Sequence, residues 1–224
     1  MIDFVKHPIN RGLECLQSVT EIIAGRALIG GSYAAHMATY ESDEAYGQPG
    51  DIDVFAFSDD NAEYIIQRLK DADYFVSELN SIAISMSPNH WLNPICDMPI
   101  QVIKPNPNWR RDPVNFRDDL LNSFDLNVCR AVLDGEIIIG DVEIGSTQGR
   151  VLRVANPVRT MKRIMKYRER GFTFSDWELC KVFLAFGELS DERLKEITDA
   201  AQPQPADYDE HYDWYDDDDY FNAE

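Results

Sequence analysis

Apolar positions along this chain follow two periods. Leu13, Leu16, Val19, Ile22 and Ile23 recur at helical spacing, which predicts a first helix within residues 9–25. The run Ala27-Leu28-Ile29 then meets Gly30-Gly31-Ser32, and good helix formers follow from Tyr33 to Thr39, a pattern of strand, tight glycine turn and helix start. The acidic, glycine-bearing stretch from Tyr40 to Gly50 reads as a loop, after which Asp51 to Phe57 alternates as a strand does. Asp59 to Asp71 reads as a capped helix with Ile65, Ile66 and Leu69 inside.

Tyr74 to Leu79, Ile82 to Met86 and Ile100 to Ile103 read as further strands, and Asp112-Pro113 opens a helix through Leu121, since Pro suits the first helical turn. Phe124 to Val132 reads as strand, and Asp134-Gly135 turns into the apolar Ile137-Ile138-Ile139. The pattern then becomes helical: Pro157 opens a helix closed by Gly171, Ser175 caps another reaching about Gly187, and 191–200 makes a third. From Gln202 the chain is too polar to repay the entropy of ordering, which predicts a disordered tail. The expected organisation is an α/β (α+β) catalytic domain over 1–150 with a mixed central sheet flanked by helices, a small helical region over 151–201, and an acidic tail over 202–224.

Charge sharpens this division. The net charge is −19, and the last eighteen residues hold nine of the 40 acids and no Lys or Arg; without them the balance is −10. A chain this acidic is ill suited to a nonspecific grip on nucleic acid, which rests on counterion displacement by cationic side chains. Residues 150–170 run against the trend, with eight basic side chains and one acid, Glu169, so an anion is expected there. The tail's interleaved Tyr208, Tyr212, Trp214, Tyr215, Tyr220 and Phe221 suggest docking on a basic, partly apolar partner surface. Cys15, Cys96, Cys129 and Cys180 lie far apart, which predicts reduced thiols rather than a disulfide framework or zinc site. The N-terminus shows no secretory pattern and no apolar run is long enough to span a bilayer, so the expectation is a cytoplasmic protein with no membrane partner.

The candidate chemistry lies in Gly30-Gly31-Ser32 followed, one loop later, by Asp51-Ile52-Asp53-Val54. Residues two apart on a strand share a face, so Asp51 and Asp53 can bind the same metal while Ile52 and Val54 enter the core. Close carboxylates repel each other, and a hard divalent cation such as magnesium relieves that repulsion. The glycines suit a turn in which backbone N–H groups approach phosphate oxygens at a helix N-terminus, with Ser32 adding a hydroxyl. Either feature alone is more often an ordinary turn or an exposed strand face; their order within one strand-turn-helix-loop-strand unit shifts the balance toward a phosphate and metal site.

This segment resembles the signature of the DNA polymerase beta-like nucleotidyltransferase superfamily, with a longer loop between Ser32 and Asp51. The stretch from Leu120 to Gly135 resembles part of CCA-adding enzymes and bacterial poly(A) polymerases, in which Asp125 falls on the third metal-binding Asp, although Ser123 and Phe124 stand where the family has two arginines. Asn156-Pro157-Val158-Arg159-Thr160-Met161-Lys162, ending in Arg170-Gly171-Phe172, is similar to the neck of the same enzymes; Arg159 matches the base-reading Arg and Lys162 a later basic position, while Asn156 replaces an Asp. On the neck helix Arg159, Arg163, Lys166 and Arg170 recur on one face, where a solvated stripe and a functional one are equally good readings of the last three. His36, His90 and Trp91 are not assigned to catalysis.

The resemblance implies a nucleotidyltransferase fold and transfer of a nucleotide from a nucleoside triphosphate to a hydroxyl with release of pyrophosphate. It implies two magnesium ions, or manganese in their place, held by Asp51, Asp53 and Asp125. Gly30, Gly31, Ser32, Arg159 and Lys162 would bind the nucleotide. The acceptor is left open among an RNA 3′ end, a protein and a small molecule. The alternatives are an inactive interaction protein that keeps the fold, or an acidic nucleic-acid mimic.

Overall fold

A computed structural model describes residues 5–8, 14–39, 49–80, 82–92, 96, 98–107, 109–110, 112–134, 137–143 and 146–195. Its strands are β1 (Val5–Pro8), β2 (Ala27–Gly30), β3 (Ile52–Ala56), β4 (Tyr74–Leu79), β5 (Ala83–Pro88), β6 (Ile100–Ile103), β7 (Ala131–Asp134), β8 (Ile137–Gly140), β9 (Gln148–Gly149) and β10 (Thr173–Phe174). Its helices are α1 (Glu14–Ile23), α2 (Ser32–Thr39), α3 (Asp59–Asp71), α4 (Pro113–Ser123), α5 (Pro157–Glu169) and α6 (Asp176–Gly187).

β1 to β8 form one mixed sheet in the order β1-β8-β7-β2-β3-β6-β5-β4, with β3 and β6 parallel and the other neighbours antiparallel. The sheet and its flanking helices are the expected architecture. β2 and β3 lie at the centre, where Ile29, Ile52, Val54 and Ala56 are fully enclosed. α3 packs on β3, β4 and β6 and against α1; α2 packs on β2, β7 and β8. On the other face of β3, Phe55 and Phe57 join Trp109, Phe116 and Phe124 in a chain of edge-to-face and tilted rings 4.9 to 6.3 Å apart. Both faces of the strand are thus covered, and Asp53 rises from the aromatic one.

The chain divides into two compact units, Met1–Glu188 and Leu189–Glu224. In the first, α5 and α6 are tied into the sheet-bearing body. The buried carboxylate of Glu178 accepts from the Val151 N–H and from Lys181 Nζ at 2.8 Å, while Lys181 also donates to the Val151 carbonyl. α5 is closed as Gly171 suggested: Gly171 has φ +90°, the Phe172 N–H donates to the Tyr167 carbonyl at 3.0 Å, and the two rings meet edge to face. In the second unit 191–195 is helical; the rest of the predicted third helix, 196–200, and the acidic tail lie outside the described residues.

Two expectations are corrected and two features are added. Phe124 to Val132 is not one strand: Leu126 forms an isolated bridge to Val151, Asn127–Cys129 is a 3₁₀ turn, and the strand begins at Ala131. Asn127 diverts the chain, since its side chain accepts from the Arg150 N–H and donates to the Gln148 carbonyl. β1, whose Val-Lys-His-Pro run carries little apolar signal, and the two-residue strands β9 and β10 were not predicted; β1 is an edge strand, where a proline is tolerated. Finally, Cys96 is buried and disulfide-bonded, because cysteine pairing follows distance in space rather than spacing in sequence. Cys129 and Cys180 are free, the first buried and the second exposed. Among the described residues no helix is long and apolar enough to cross a membrane.

Candidate active site

The site begins with strand register. Gly30 at the end of β2 stands opposite Asp53 on β3 and opposite Val132 on β7. Gly31 has φ +77°, a conformation costly for any residue with a Cβ, and its N–H donates to the Ala131 carbonyl at 2.9 Å. That bond turns the chain out of the sheet and into α2, whose first-turn N–H groups have no intrahelical acceptors. A Cβ on Gly31 would lie 2.9 Å from Asp53 Oδ2, and one on Gly30 would lie 3.1 Å from the Phe55 ring. The two glycines thus let the helix start and the Asp53 carboxylate share one place. Ser32, the first residue of α2, is half-buried.

Burial raises the Asp53 carboxyl to about 7, and the charge of Asp51 pushes the same way; Arg163, Lys166 and Arg159 on α5 oppose it. The site's electrostatic members are thus two neighbouring carboxylates at the head of β3 and three cations from a helix over a hundred residues later in the chain. At 100° per residue, positions 159, 163, 166 and 170 share a stripe, flanked by the buried side formed by Thr160, Ile164 and Tyr167. Asn156, where the resembling motif has Asp, accepts from the Arg159 N–H at 3.0 Å and caps this helix, so the substitution keeps the cap. Arg159 is exposed; burial of its surroundings and the nearby Arg163 charge lower its pKa, while Asp125 and Asp53 raise it. Lys162 is exposed on the same helix, off the stripe's centre.

Asp125 is brought to this region, where α5 engages its carboxylate. It is only 6% exposed; Oδ1 is ion-paired with Arg163 Nη1 at 2.6 Å and Oδ2 accepts from Thr160 Oγ1 at 3.0 Å. Its carbonyl accepts from the Leu152 N–H at 2.8 Å, which fixes the backbone. Among the described residues no three His, Cys, Asp or Glu side chains converge so as to hold a metal ion. Arg163 supplies Asp125 with a positive partner. Asp51 and Asp53 by themselves fit a divalent cation, because two half-buried neighbouring carboxylates, of which Asp53 is reluctant to ionise, gain from a shared hard cation. Sequence reading missed Thr160 altogether and left Arg163 undecided; the i, i+4, i+7 spacing of basic residues was the available signal. His36 lies in α2, and Trp91 stands exposed in the turn after β5.

No family model matches the chain, and no curated protein matches it. Solved structures do. It is similar to a CCA-adding enzyme in an apo form (13% identity, TM-score 0.53, covering 84% of this chain and 45% of that one). It is also similar to a CCA-adding enzyme in complex with CTP (14%, 0.55, 92% and 53%) and to a tRNA-processing enzyme in an apo form (16%, 0.54, 88% and 54%). The chain spans about half the length of these proteins. At such identities the likeness is one of fold, and the fold of this chain is that of the nucleotidyltransferases.

Proposed function

We propose that this protein is a metal-dependent nucleotidyltransferase that moves a nucleotide from a nucleoside triphosphate to a hydroxyl acceptor, releasing pyrophosphate. The observation that carries the reading is the meeting of Gly31 with the Asp53 carboxylate at the start of α2, under a helix whose cations face Asp53. Gly30, Gly31 and Ser32 would seat phosphate oxygens on backbone N–H groups and the helix N-terminus. Asp51 and Asp53 would hold magnesium or manganese, which when bound would offset charge on the triphosphate and on the departing pyrophosphate. Arg159 would contact the base or ribose, and Lys162 and Lys166 would draw the anion toward the site. One protein of this fold, a CCA-adding enzyme, is solved in complex with CTP. The acceptor is an RNA 3′ end, a protein or a small molecule.

The test is incubation of the full chain with α-labelled nucleoside triphosphates, magnesium and a cell extract. Label should appear on one acceptor class, pyrophosphate should be released, and both should vanish in Asp51→Asn and Asp53→Asn. Full transfer by either variant would remove the assignment.

The engagement of Asp125 by Arg163 also favours a second reading, a nucleotide-binding protein without turnover. Magnesium-dependent triphosphate binding with no pyrophosphate release would select it.

A further inference from the structure

Asp125 and Arg163 form an ion pair in which the carboxylate is enclosed and the guanidinium is not, and their geometry decides what each can do. Both carboxylate oxygens of Asp125 are engaged, by Arg163 Nη1 at 2.6 Å and Thr160 Oγ1 at 3.0 Å, and the residue is buried. Arg163, by contrast, keeps 32% of its side-chain surface open. A guanidinium has five N–H donors in a rigid fork, so one edge can rest on Asp125 while the rest stay available to an anion. Arg163 lies close enough to act on Asp53, as do Arg159 and Lys166 on the same stripe.

The geometry points to Arg163 as a phosphate-binding residue for the nucleoside triphosphate, and to Asp125 as the residue that positions it rather than a metal ligand. This rests on the nucleotidyltransferase reading. Thr160 and Asp125 clamp α5 at the border between its buried side and its basic stripe, and so fix the guanidinium where its charge acts on Asp53. Lysine at 163 would keep an ion pair with Asp125, but a single ammonium serves a carboxylate and a phosphate poorly at once.

The experiment is fluorescence titration of the full chain with mant-ATP and mant-AMP across a magnesium series, with melting curves for each variant. Arg163→Met should weaken mant-ATP by about tenfold or more, the scale of a lost charge-assisted hydrogen bond, and leave mant-AMP unchanged. Arg163→Lys, which preserves the ion pair and hence the fold, should still lose several-fold in mant-ATP affinity. Asp125→Asn should match Arg163→Met, the double variant should be no worse than either, and the magnesium midpoint should not move. Wild-type affinity for mant-ATP in both Arg163 variants, or a raised magnesium midpoint confined to Asp125→Asn, would overturn this inference alone. A wild-type chain that binds no triphosphate would take down the nucleotidyltransferase reading and this inference with it.

Discussion

The Oδ2 atom of Asp53 stands 2.9 Å from where a Cβ on Gly31 would be. The glycine is required twice over, for its left-handed φ and for the room it leaves to a carboxylate. Backbone conformation and site chemistry therefore depend on the same missing side chain.

Gly31→Ala should accordingly damage both stability and nucleotide binding. A left-handed alanine costs about 1–2 kcal/mol, and the displaced Asp53 should weaken magnesium-dependent triphosphate affinity further. Gly187→Ala, at a helix position with open space around it, should leave both unchanged or slightly improved. Thermal melts and nucleotide titrations of the pair check this; equal behaviour of the two variants would refute it.

Asp53 should make the metal-free protein less stable as pH rises. Its folded pKa of about 7 lies above the ordinary 3.8, so between those values the folded state binds more protons than the unfolded one. Its contribution is fully present below pH 3.8 and is lost as pH rises through 7. In EDTA, urea stability of wild type minus that of Asp53→Asn should fall across this window, and added magnesium should reduce the fall. A flat difference would show that the Asp53 carboxyl is not perturbed.

Glu178→Ala should loosen α6 from the segment that carries Val151. It removes the acceptor of a buried N–H and the partner of Lys181, a cost of about 1–3 kcal/mol. Because Leu152 holds the Asp125 backbone, triphosphate affinity should drop as well. Glu178→Gln, which retains an acceptor, should keep most of the stability. Urea denaturation and mant-ATP titration measure the two effects.

Truncation after Ala206 should preserve the melting temperature, since among the described residues the core belongs to Met1–Glu188. Removing nine acids should also raise affinity for a polyanionic acceptor at low salt, where screening is weakest. Filter binding to a short RNA at two ionic strengths tests this, and loss of the melting transition would refute it.

The amphipathic and alternating patterns made most elements legible: α2 after the glycine turn, β3 through Asp53, α3, α5 and α6 all lie where periodicity and capping residues put them, because those signals are local. Gly30, Gly31, Asp51 and Asp53 were legible for the same reason, since one loop joins them. What sequence alone could not decide was every relation across the fold. Whether Arg163 was solvated or functional turned on Asp125, 38 residues away, and on Thr160, a residue with no pattern of its own. The 3₁₀ turn at Asn127 depended on backbone groups at Gln148 and Arg150, and the state of Cys96 on proximity. Local periods determine which elements form; ion pairs, disulfides and side-chain bonds to distant backbone depend on how those elements meet, and here that meeting gave Asp125 a guanidinium partner.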